Sequence, residues 1–205
     1  MLAGCGPFIG WAVNAFAPPQ KVEPVYRPPA GKRVLVFVDD LLRPVAYEPI
    51  KAELTEQLNR QLTEHDVAKT AVPYEDLLTL QAAMPEFNQL AVSEVARHLD
   101  AELVVYLDVD EFALKDDEAN PLWQGRLTVS VRVVDPAAGR LWPDDRAGGY
   151  PVPTVEIPAH PHNSPNHGAE LSRTLAAQMA DRVAKLFYKH EISAREAAER
   201  EAKQR

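Results

Sequence analysis

Three histidines fall within eight positions of one another: His160, His162 and His167, in the run His-Pro-His-Asn-Ser-Pro-Asn-His. Imidazole nitrogens bind Zn²⁺ or Cu²⁺, and a structural zinc takes four ligands, so a fourth donor would come from Glu156 or Glu170. Pro161 and Pro165 stiffen the same segment, and turns rich in His, Asn and Pro form without a metal. The expectation is a structural turn, with His160, His162 and His167 as the metal candidates and no resident cofactor.

The acids make a second constellation. Asp39 and Asp40 follow an apolar run, and Asp108 lies on a later one. This resembles response-regulator receivers, where acids at strand ends gather Mg²⁺, a cation that prefers oxygen ligands. The resemblance stops there: Asp108 is expected inside its strand, the intervening segment is long, and no lysine follows a later parallel strand. Acids in Asp116-Asp117-Glu118 and Asp144-Asp145 read as turn residues, because Asp hydrogen-bonds its own backbone. Ser93, Ser130, Ser164 and Ser172 lack the Gly-x-Ser-x-Gly context of an activated nucleophile. Phosphate-cradling glycine loops are missing too. The expectation is therefore no catalytic residue and no enzyme, a hydrolase or metal protein built on the His loop being the alternative. Trp123, Trp142 and Tyr150 are candidates for a partner-contact patch, or for packing beneath a loop.

The elements that would position these groups read as follows. Arg33 to Val38 is a continuous apolar run, the pattern of a strand covered on both faces. Pro49 opens a helix to about His65, with Ile50, Leu54, Leu58 and Leu62 on one face. Val67 to Val72 reads as a strand, Asp76 to Ala83 as a short helix, and Ser93 as the cap of a helix ending near Leu99. Leu103 to Phe112 is a strand with Val105, Leu107 and Val109 inward and Tyr106, Asp108 and Asp110 outward. Leu127, Val129, Val131 and Val133 alternate with Arg126, Thr128, Ser130 and Arg132, which predicts an antiparallel, half-buried strand. Leu141-Trp142 adds an edge strand, 143–166 is a long loop, and Leu171, Leu175, Val183 and Leu186-Phe187 mark a closing helix. Acid-first pairs such as Glu191–Arg195 and Glu196–Arg200 extend that helix into the tail at about 0.2–0.5 kcal/mol each.

Only one cysteine, Cys5, is present, so neither a disulfide framework nor a Cys-x-x-Cys site is available. The tetrad Leu2-Ala3-Gly4-Cys5 resembles the lipobox of bacterial lipoproteins, which implies lipid attachment at Cys5 and a cell-envelope address. Since only Met1 to Gly4 precede the cysteine, this reading expects a basic and apolar leader upstream; a chain that starts at Met1 would stay cytoplasmic. A net charge of −8 disfavours nucleic acid and polybasic attraction to anionic lipid. Pro18, Pro19, Pro24, Pro28 and Pro29 make an extended tether or an arm along the domain surface.

The expected organisation is a lipobox remnant at 1–5, an apolar and proline-rich tether at 6–31, one domain at 32–190 and a charged helical tail at 191–205. With 205 residues, 46% of them hydrophobic, one domain can bury a sufficient core. The fold class is α/β (α+β): a mixed sheet of about four to five strands with three main helices, in the order strand-helix-strand-helix-strand-strand-helix. That order resembles the N-terminal domain of TolB, the CsgG-like secretion lipoproteins and the lipoprotein activators of penicillin-binding proteins. It implies a non-catalytic envelope protein, held to the membrane by lipid on Cys5 and binding other envelope proteins or cell-wall machinery, with an oligomeric envelope assembly as the alternative.

Overall fold

Val34, Leu35 and Val36 are all buried, so the strand they form has to lie inside a sheet with packing on both faces. The computed structural model describes residues 20–40, 49–114, 123–160, 167–193 and 197. Its elements are β1 (Gln20–Val22), β2 (Arg33–Asp39), α1 (Pro49–Glu64), β3 (Thr70–Ala71), α2 (Tyr74–Ala83), a 3₁₀ turn (Phe87–Gln89), α3 (Val92–His98), β4 (Leu103–Ala113), β5 (Trp123–Asp135), β6 (Gly139–Trp142), β7 (Tyr150–Pro151), β8 (Val155–His160), α4 (His167–Ala184) and β9 (His190–Ile192). The fold is mixed α/β, as expected. Its main sheet runs β3-β2-β4-β5-β6, with β7 and β8 also on β5, which is more strands than the sequence suggested. β2 is parallel to β3 and β4, and β4 is antiparallel to β5.

One face of the sheet carries α1 and α4. Ile50, Leu54, Leu58 and Leu62 of α1 meet Val105, Leu107, Val129 and Val131 of the sheet and Leu175, Met179 and Val183 of α4 in one cluster. Each such side chain, fully buried, contributes about 1.5–3 kcal/mol. Gly125 lets α4 approach β5: a Cβ there would sit 2.9 Å from Leu175 Cδ1. On the opposite face α2 and α3 cover only the end near Leu35, Val72 and Val104. The continuation of that face is polar.

Several boundaries differ from the sequence reading. α1 and α3 end on Asp66 (φ 56°) and Asp100 (φ 52°), with Val67 N–H donating to the Leu62 carbonyl (2.9 Å) and Ala101 N–H to the Ala96 carbonyl (2.9 Å). Aspartate thus fills the left-handed position usually given to glycine, and that turn consumes Val67 and Ala68. The strand expected from Val67 therefore shrinks to Thr70–Ala71. Ser93 is not the cap of α3; Ala91 is, its N–H donating to Glu94 Oε2 at 2.9 Å. The loop expected over 143–166 contains β7 and β8, both antiparallel to β5.

The closing helix stops at Ala184 and the chain re-enters a strand at His190; of the expected helical tail, 194–196 and 198–205 lie outside the described residues. Within the segment expected to be a tether, β1 pairs antiparallel with β9 through Gln20↔Ile192 and Val22↔His190. Residues 20–31 are thus an arm along the domain. Tyr26 N–H donates to the Leu186 carbonyl (3.0 Å), and the Tyr26 ring stacks on Trp142 at 5.4 Å.

Candidate functional site

The half of the second sheet face that no described helix covers is built by strand alternation. With Val105, Leu107 and Val109 turned into the core, Tyr106 and Asp108 must face outward, as must Thr128, Ser130 and Arg132 on β5. Register then sets the neighbours: Asp39 lies opposite Asp108 across the parallel pair, and Tyr106 opposite Arg132 across the antiparallel one. The Tyr106 hydroxyl donates to Asp39 Oδ2. Arg132 Nη2 donates to Asp108 Oδ2 at 3.2 Å, and its guanidinium lies 4.2 Å above the Tyr106 ring. Ser130 Oγ donates to Asp110 Oδ2 at 2.7 Å. A register shift between Val109 and Glu111 then brings Glu111 to the Arg126 guanidinium at 3.4 Å, with Glu156 of β8 on its other side at 3.3 Å.

Burial, followed by the hydrogen bond to Asp39, holds the Tyr106 phenol well above the ordinary tyrosine range; it is a donor at any physiological pH. Here a half-buried tyrosine and an arginine are locked between carboxylates, a rigid polar surface suited to recognition. Neither Tyr106 nor Arg132 was singled out as a site residue from sequence, although Arg132 stood in the alternation that places it here.

Among the receiver-like acids, Asp39 and Asp108 do come together, but Asp40 pairs instead with Lys51 at 2.8 Å. Asp39 and Asp108 are engaged by Tyr106 and Arg132. Among the described residues no group of three or more His, Cys, Asp or Glu could hold a metal. His167 is the first residue of α4, 9% exposed, its ring edge-on to Trp123 at 5.9 Å. His160 ends β8, its backbone opposite Trp123. His162, like Cys5, lies outside the described residues. Glu156, a proposed fourth ligand, is engaged by Arg126 on the sheet; Glu170 sits in the first turn of α4, and its carbonyl accepts from Thr174 Oγ1 at 2.9 Å.

The aromatic trio divides. Trp142 and Tyr150 meet at 4.9 Å and, with Tyr26 and Phe187, form the seat of the N-terminal arm. Trp123 is elsewhere, against α4, so close that a Cβ at Gly168 would lie 3.0 Å from its ring. Trp142 and Tyr150 pack against the core rather than standing out as a patch. A shallow groove of about 380 Å³ opens at the other end of the sheet between α2 and α3, lined by Arg33, Asp76, Thr79, Leu80, His98 and Leu99.

No protein-family model matches this chain, and no curated protein does. Solved structures similar to it include lipoproteins. The PelC dodecamer from Paraburkholderia phytofirmans is 13% identical with a TM-score of 0.42, over 83% of this chain and 98% of that one. Lipoprotein GNA1162 from Neisseria meningitidis is 15% identical with a TM-score of 0.38, over 75% and 99%. Lipoprotein B from Nitrosomonas europaea is 11% identical with a TM-score of 0.34, over 79% and 84%. Likeness of this degree assigns the present chain no ligand, partner or activity.

Proposed function

We propose that this chain is a lipid-anchored protein of the bacterial cell envelope whose α/β domain is a non-catalytic binding module for another envelope protein. The observation that carries the anchoring is Leu2-Ala3-Gly4-Cys5, with Cys5 the single cysteine. Among the described residues no helix is long and apolar enough to cross a membrane; the attachment proposed is through an acylated Cys5. The binding role is supported by the polar sheet face around Tyr106, Asp108 and Arg132, which no described helix covers. Its side chains are tied to one another, so little rotamer freedom remains to be lost when a partner docks. Ser130 and Ser172 donate to the carboxylates of Asp110 and Glu53; we read both contacts as structural and set the catalytic alternatives aside.

Mass spectrometry of the protein purified from its native host tests the anchoring, the expected result being a chain that begins at an acylated Cys5. Unmodified cysteine and cytosolic fractionation would refute it. Crosslinking in the envelope followed by comparison of wild type with Arg132→Glu tests the binding face. Partner capture should fall with the substitution, and equal capture would remove the face from consideration.

A further inference from the structure

Residues 20–31 lie on the domain without entering its core, whose first buried member among the described residues is Val34. Three register pairs hold their backbone to β9: Gln20↔Ile192, Lys21↔Glu191 and Val22↔His190. A two-stranded ribbon is marginal by itself in water. Beyond it, Glu23 bridges Lys189 at 2.5 Å and Arg27 at 2.6 Å. All three charged side chains are more than half exposed, at 59%, 52% and 72% in that order, so dissolved salt screens both pairs. Tyr26 is the one residue of the arm that meets the main hydrophobic cluster. Its ring stacks on Trp142 at 5.4 Å and its N–H donates to the Leu186 carbonyl.

Just past the arm the attachment changes character. Glu102 accepts from Lys32 Nζ at 3.0 Å and from the Arg33 N–H at 3.1 Å. Lys69 N–H donates to the Lys32 carbonyl and Glu102 N–H to the Arg33 carbonyl, both at 2.9 Å, and β2 then runs between β3 and β4. From Lys32 onward the chain is therefore fixed by the sheet itself. Between the two regimes lie Pro28 and Pro29, which have no N–H with which to fasten the chain. Gly31 follows at φ 75°, a left-handed conformation that glycine adopts freely.

We propose that residues 20–31 form a releasable strap: β1, the Glu23 ion pairs and the Tyr26 ring let go together, swinging on 28–31, while the domain from Lys32 onward stays folded. Segments with few buried apolar contacts are the ones that open below the cost of global unfolding, and this one has a single such anchor in Tyr26. Opening uncovers the β9 edge and one face of Trp142. It also lengthens the chain ahead of the domain by the 12 residues from 20 to 31, about 37 Å at an extended 3.1 Å each. In the anchored protein proposed above, that length is added to the distance at which the domain can stand from the bilayer. This consequence rests on the anchoring, whereas the opening does not.

Amide hydrogen exchange of the full chain with Cys5→Ser reads the opening without any lipid. The Tyr26 amide should exchange at least about 100-fold faster than that of Leu58, a buried residue in the middle of α1. Raising the salt concentration should speed Tyr26 about threefold and leave Leu58 unchanged, and Glu23→Gln should do the same at low salt. Lys21→Cys with Glu191→Cys, opposite each other in the ladder, places two thiols for a disulfide. Closing it should slow Tyr26 at least about tenfold. Tyr26 exchange as slow as that of Leu58 would overturn the proposal, because the arm would then open only with the whole domain. Fast exchange that the closed disulfide fails to slow would overturn it too, since single bonds would be fraying rather than a strap opening. A Tyr26 rate indifferent both to salt and to Glu23→Gln would remove the ion pairs from the device and would equally overturn it.

Discussion

Arg132→Ala is the substitution that most directly interrogates the polar sheet face. The Arg132–Asp108 pair is only about a quarter exposed, 23% and 26% for the two side chains. An exposed ion pair contributes about 0.2–1 kcal/mol, and partial burial puts this one at the upper end. The guanidinium above Tyr106 adds about 0.5–2 kcal/mol, and the arginine stem covers sheet surface that alanine would expose. Together the loss is about 2 kcal/mol, which for a domain of this size lowers the melting temperature by about 4–8 °C. Urea unfolding of wild type, Arg132→Ala, Asp108→Asn and the double variant isolates the pair, with an expected coupling of about 0.5–1 kcal/mol. Arg132→Lys should recover part of the Coulomb attraction but little of the stacking. If Arg132→Ala were within about 0.5 kcal/mol of wild type, in the range of an ordinary surface substitution, the network would be decoration rather than a rigid platform.

Gly125→Ala should cost about 1–3 kcal/mol by chemical denaturation, since its methyl would strike Leu175, which has no exposed surface through which to move. Tyr26→Ala should release the arm, costing about 1–2 kcal/mol and speeding tryptic cleavage after Lys21; unchanged cleavage would show that β1–β9 pairing alone holds it. The Asp135 carboxyl is held below its usual range, first by the Ala138 N–H and then by that of Ala137, so its contribution is present above the unfolded carboxylate pKa and lost as pH falls through the lower folded value. Asp135→Asn should flatten that acidic limb of the stability profile. Tyr106 has the opposite sign: its raised pKa makes stability fall as pH rises past the unfolded tyrosine value, about 10, and Tyr106→Phe should lessen that alkaline loss.

The elements most legible in the sequence were those with long, uninterrupted patterns. Leu54, Leu58 and Leu62 marked α1, and Leu127 to Val133 marked β5, because burial on one face imposes the period directly. What escaped notice was set by partners far away in the chain. β1 has no apolar alternation of its own and exists because His190–Ile192 offers it an edge. β7 and β8 are short, proline-containing pieces that read as loop until β5 pairs with them. Asp66 and Asp100 ended their helices without the glycine that would have announced it. The site was half visible: alternation put Asp108 and Arg132 on outward faces, but only register, which sequence does not contain, brings Asp39, Tyr106 and Arg132 together.

The two margins of the main sheet share a property with consequences for how copies of this molecule meet. On one side, the outermost strand is just Thr70–Ala71. On the other, three separate fragments share the rim of β5, and Pro151 and Pro158 within them cannot donate an amide hydrogen bond to a newcomer. Among the described strands a foreign strand therefore finds no long ladder of open amides on these two borders, which discourages fibre-like stacking there. Association between copies would have to proceed through side-chain surfaces, which can be selective, rather than through backbone, which cannot.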